Sequence, residues 1–254
     1  MLNQLFPHMY DSPEHHQALA GLTYGVVPFL VLPFTFMLLI IGVDDVGPYL
    51  ALEYLFQAIN FTAMVAVFRT YLQDSWLSAT TYPKRFWAVC LGAAAVIAAV
   101  WIGYVCAFVW QTHEDAALVV NGALPMTGIE LMLLPGQFVS YGGIPAVLFV
   151  VFLGPVITSC LFYATAFAPV CVSGHRFLAY AAVAALTAVP RIITWFTIWG
   201  GWKEPQLYLA QLPIHLLACW TYEKTDTIWA PIVTHAIANA IICAAIYGIM
   251  LLGG

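Results

Sequence analysis

Seven runs of mostly apolar residues follow one another along this chain, at roughly 24–43, 49–68, 86–110, 144–167, 177–199, 207–222 and 228–252. A helix needs about 20 such residues to cross the ~30 Å hydrocarbon core of a bilayer, and inside lipid the backbone has to satisfy its own hydrogen bonds. The runs therefore predict spanning helices. Charged residues are 7% of the chain and AVILMFWYC residues 63%, against about 25% and about 45–50% in soluble domains. No water-soluble surface can be assembled from that inventory. The expectation is an all-α polytopic transmembrane bundle of about seven spans, one integral membrane domain surrounded by the lipid bilayer.

Trp87 and Trp110 flank the third run, Trp199 and Trp202 end the fifth, and Trp220 and Trp229 bracket the last turn, as an interfacial belt would place them. With these spans, the loops holding Arg69, Lys84, Arg85, Arg176 and Lys224 fall on one side. The other side has only Lys203, with Asp44, Asp45, Glu114, Asp115, Glu130 and Glu204. The positive-inside rule then puts the first side, with the N-terminus, in the cytoplasm and the C-terminus opposite, as in a bacterial inner membrane. Residues 1–23 lack a basic n-region and read as a short interfacial arm rather than a signal peptide. The 111–143 connection is long, half apolar and glycine-studded, which suggests an interfacial or re-entrant segment. The six cysteines form no Cys-x-x-Cys pair and read as small core residues. A net charge of −5 with few basic residues excludes an electrostatic footprint for nucleic acid, and no inverted repeat suggests a transporter.

Polar residues inside such spans are the candidates for function. His235 and Asn239 lie one helical turn apart on a common face of the last run. His215 lies ten residues before Thr225 and His235 ten after it, so in an antiparallel hairpin both reach a depth of ~15 Å from the turn. With Glu53 or Glu223, these two imidazoles would make a relocated metal site. Glu53, Gln57 and Asn60 form one stripe at i, i+4 and i+7, more characteristic of a helix seam than of an active site. Arg191 follows Pro190 in an apolar run and costs about 2.5–3.5 kcal/mol on insertion scales, so it requires a partner. Glu53 is the candidate, at a depth within ~5 Å of it by the 1.5 Å rise per residue. A Ser159–His235 nucleophilic pair is the remaining way to build chemistry, against the tendency of a membrane serine to bond its own helix.

The stretch Tyr222-Glu-Lys-Thr-Asp-Thr-Ile-Trp-Ala-Pro-Ile-Val-Thr-His235-Ala-Ile-Ala-Asn239 resembles the short turn and final His-x-x-x-Asn motif of the CPBP family. These are intramembrane endopeptidases related to type II CAAX prenyl proteases and bacteriocin-processing proteins. The resemblance covers about residues 144–254 and implies a CPBP-like four-helix core there. Residues 1–143 would then supply the arm, three spans and the long loop. Two further family motifs are degenerate. Where the family has paired glutamates and an arginine, this chain has Thr158, Ser159 and Tyr163; where it has a second histidine, the chain has Arg191.

The family's reaction implies a carboxylate that activates water, imidazoles that bind a metal or orient that water, and an asparagine for the oxyanion. Threonine and serine hydroxyls are not general bases near neutral pH without a neighbouring base. A guanidinium never deprotonates and cannot ligate a cation, whereas a catalytic zinc takes about three protein ligands. The chain therefore reads as a proteolytically inactive relative with no cofactor, a binding or structural subunit docked to other membrane-protein subunits, its old cavity plugged by Arg191 and Tyr163. The alternative is an active endopeptidase with a divergent set, in which Glu53 or Glu130 replaces the missing pair and zinc is retained.

Overall fold

The computed structural model describes residues 13, 15–21, 23, 46–113, 143–194 and 211–252. Every regular element among them is helical: α1 (His15–Gly21), α2 (Val46–Thr81), α3 (Pro83–Thr112), α4 (Gly143–Val172), α5 (Arg176–Thr194), α6 (Gln211–Thr225) and α7 (Trp229–Leu252). Four stretches are long and apolar enough to cross a membrane: Tyr54–Thr81, Pro83–Gln111, Gly143–Val172 and Trp229–Ile249. They mark the chain as an integral membrane protein. Over their described residues α5 and α6 do not reach that length and apolarity; the 15 residues of α6 rise only ~22 Å at 1.5 Å each. The predicted first span, 24–43, lies outside the described residues, as do residues 114–142 of the long connection.

Helix α2 departs from its predicted end at residue 68. It continues through Arg69 and Asp74 to Thr81, because no proline or glycine interrupts it before Pro83. Pro83 cannot donate the backbone bond that would extend α2, and its ring disfavours helical geometry at the preceding residue. Tyr82 accordingly leaves the helix at φ −126° and ψ 65°, while Pro83 starts α3, where a missing N–H costs nothing. Helix α3 ends in a left-handed cap at His113, whose N–H reaches the Val109 carbonyl at 2.9 Å.

The helices alternate in direction. Phe86 and Cys90 of α3 pack with Ala230 of α7, Ala94 and Ile97 with Ala238, and Trp101 and Val105 with Ile246, so α3 and α7 run parallel along their length. Lipid tails are as apolar as these side chains, so association relies on close packing, which the small residues Ala94 and Ala238 permit. Helices α2, α4 and α6 run the other way, toward the α6–α7 turn. The central cluster, with Phe56, Met64 and Phe68 of α2, Tyr163 and Phe167 of α4, and Cys219 and Tyr222 of α6, ties the two halves of the sequence together. Leu91, Val96, Ile144, Phe152 and Leu251 point outward as a lipid-facing surface would. Cys106 is also exposed, contrary to the expectation of a core residue. In lipid a small apolar thiol loses nothing on the outer face.

Helix α1 lies across α2 and α4. Gln17 donates to the Thr70 hydroxyl at 2.7 Å. At Gly21 the approach is so close that a Cβ would stand 2.5 Å from the Thr165 methyl.

Helix α4 is not regular. Phe149–Leu153 and Ser159–Phe167 are wound as π-helix, and each stretch ends two residues before a proline, with the cap residues Gly154 and Ala168 directly preceding Pro155 and Pro169. Gly154 and Ala168 donate five residues back, to the Phe149 and Tyr163 carbonyls. A proline ring clashes with the carbonyl four residues before it, and the wider turn relieves that clash.

Candidate functional site

The first π stretch leaves a carbonyl to be satisfied. In its register the next bond after Gly154 to Phe149 would run from residue 155 to Val150, and Pro155 has no N–H to give. The Asn239 side-chain amide supplies it from α7, Nδ2 donating to the Val150 carbonyl at 3.0 Å. The asparagine of the His-x-x-x-Asn pattern is thus a buried clamp between α4 and α7. An unpaired carbonyl at that depth would cost about 1–3 kcal/mol.

One turn earlier on α7, His235 meets the product of the second π stretch. Tyr163, fully buried, directs its hydroxyl to two imidazoles at once: His215 Nδ1 at 2.9 Å and His235 Nε2 at 3.0 Å. The His235 ring lies nearly parallel to the phenol, at 7° between planes and 6.0 Å between centroids, and the two imidazole centroids are 6.1 Å apart. A phenol can donate to one ring nitrogen and accept from a protonated nitrogen of the other. Three helices, α4, α6 and α7, are therefore joined at one oxygen.

Thr158 and Ser159, one turn before Tyr163 on α4, are buried. Neither the Ser159 hydroxyl nor His235 Nδ1 has a hydrogen-bond partner among the described residues, so they are not bonded to each other. The nucleophilic pair is not formed. Nor does Glu223 join the histidines. It lies eight residues beyond His215 on α6 and is committed to Arg176, Nε to Oε1 at 2.8 Å, and to the Tyr180 hydroxyl, which donates to Oε2 at 2.8 Å. That ion pair closes the α4–α5 corner onto α6, with the carboxylate side chain 7% exposed. The side chains of Glu53 and Arg191, and the whole of Glu130, lie outside the described residues. Gln57 and Asn60 are buried on α2. No group of three or more His, Cys, Asp or Glu residues is gathered for a metal among the described residues.

The sequence pointed to the turn before α7 without disclosing what holds it. Thr227 and Ser75 form a reciprocal lock. The Thr227 hydroxyl donates to the Ser75 carbonyl at 2.8 Å, the two hydroxyl oxygens are 2.8 Å apart, and the Ile228 N–H donates to Ser75 Oγ at 2.9 Å. Trp229 adds two bonds: its N–H to Thr227 Oγ1 at 3.2 Å, capping α7, and its indole N–H to the Leu72 carbonyl at 2.8 Å. A 2.6 Å contact between the Tyr71 and Tyr222 hydroxyls extends the seam. Against these side chains the chain reverses at Asp226, whose φ of 54° is left-handed.

No family model, curated protein or solved structure matches the chain.

Proposed function

We propose that this is a CPBP-like membrane bundle without proteolytic activity, retained as a binding or structural subunit of a membrane assembly. The observation that carries the reading is the Tyr163 bridge. Both histidines near the bundle centre are engaged by a phenol that has no catalytic counterpart in the reaction the resemblance implies. The carboxylate of α6, Glu223, is engaged with Arg176 and Tyr180 instead. Activating a water needs a base within hydrogen-bond reach of it. Threonine and serine at positions 158 and 159 are not such bases.

Lys84, Arg85, Arg176 and Lys224 stand at the helix ends around the α6–α7 turn. Such a basic rim suits the cytoplasmic face of a bacterial inner membrane, with other membrane-protein subunits docking on the apolar flanks.

Incubating the purified chain with a prenylated CAAX-type peptide and with a transmembrane substrate tests this. Wild type and His235→Ala are expected to give the same background. Cleavage by the wild type that disappears in His235→Ala would overturn the proposal. Pull-down in mild detergent should recover stoichiometric membrane subunits.

A further inference from the structure

Two imidazoles from different helices aimed at a common point inside a membrane bundle are half of a transition-metal site, since imidazole nitrogen suits zinc, copper, cobalt and nickel. At that point stands the Tyr163 hydroxyl, at 2.9 Å from His215 Nδ1 and 3.0 Å from His235 Nε2. Those are ordinary hydrogen-bond lengths. A metal bound to the same two nitrogens would sit about 2.0–2.1 Å from each, within space the phenol tip now fills. We infer that Tyr163 is an internal occupant of a latent two-histidine cation site, its hydroxyl taking the place of the ion.

The charge balance favours the phenol. With both imidazoles neutral, the hydrogen-bonded trio has no net charge, and its central oxygen is both donor and acceptor. A divalent ion there would keep most of its charge in a low-dielectric interior, and the described residues gather no carboxylate cluster around it. The second π stretch is what delivers the side chain. Ser159 to Phe167 wind more widely than an α-helix, and Tyr163 is buried on that stretch with Cys160, Leu161, Phe162 and Ala164 around it. From there its hydroxyl reaches both histidines.

The inference rests on the inactive reading proposed above, yet the two fail separately, because ion binding is read without any substrate. The full-length protein in detergent, stripped of metal, is titrated with cobalt, and the visible absorption of tetrahedral cobalt is followed together with metal content. Wild type is expected to bind weakly. Tyr163→Ala, and Tyr163→Leu as the milder cavity, should bind at least about tenfold more tightly. Adding His215→Ala to either variant should abolish the gain.

A wild type that takes up cobalt as tightly as the variants would overturn the inference, since the tyrosine would then not be in the way. So would folded variants that bind no better than wild type, or a gain that survives loss of His215. Circular dichroism and gel filtration identify which variant is folded. The leucine variant decides the matter if the alanine variant collapses.

Discussion

At the scale of single residues, several buried polar contacts of this bundle join different helices, so removing one partner leaves the other stranded in an apolar interior. Ser75 is the sharpest case, because its hydroxyl accepts the Ile228 N–H and pairs with Thr227. Ser75→Ala is expected to lower stability by about 1–3 kcal/mol, the cost of a buried donor left without an acceptor. Ser75→Thr, which keeps the oxygen, should lose less. Thermal or urea unfolding in detergent reads both. A loss no larger for alanine than for threonine would show that the hydroxyl is not what holds the turn. Part of this arrangement is legible in the residue spacing and part is not. Counting from Thr225 places His215 and His235 at one depth, because a tight antiparallel hairpin leaves a single register. No such count reaches Ser75, and Tyr163 is singled out only by the resemblance, as a plug of the cavity and not as a partner of the two histidines. Their positions depend on how α4 and α2 dock against that hairpin, which no spacing within one helix encodes.

At the scale of the element, α4 shows how proline writes a helix that periodicity cannot read. An apolar run over 144–167 predicts a span, and a span is there, but its two π stretches shift every following side chain around the axis. Pro155 and Pro169 were the visible signal. The consequence of Pro155 is that Asn239 has a carbonyl to satisfy. If Pro155 is what deprives Val150 of a backbone donor, then Pro155→Ala gives the helix an N–H of its own, and Asn239 becomes dispensable. Asn239→Leu alone should therefore cost about 1–3 kcal/mol. In the Pro155→Ala background it should cost less, with a coupling of about 0.5–3 kcal/mol in a double-mutant cycle. Additive losses would mean that Asn239 stabilises the bundle by something other than this bond. The same reasoning explains why α2 overruns its expected end: apolar content falls after Phe68, yet nothing in Arg69 to Thr81 breaks a helix, and only Pro83 does.

For the whole molecule, the alternation of helices makes topology a measurable consequence of packing. Helix α3 has 30 residues, ~45 Å at 1.5 Å per residue, more than the ~30 Å hydrocarbon core requires. A membrane-crossing α3 would put its two ends, the exposed Tyr82 corner and His113, in different compartments. Tyr82 stands beside Lys84 and Arg85, so the positive-inside rule assigns that corner, with Arg176 and Lys224 at the same end of the bundle, to the cytoplasm. Tyr82→Cys and His113→Cys, each placed in a chain whose six native cysteines are replaced, separate the questions. A membrane-impermeant thiol reagent added to intact cells should label position 113 and spare position 82, and inverted vesicles should reverse the pattern. The reverse labelling would keep α3 as a span and refute the orientation. Labelling of both positions from one side would refute the span itself, because two exposed ends of a helix this long can share a compartment only if α3 lies along the membrane rather than through it.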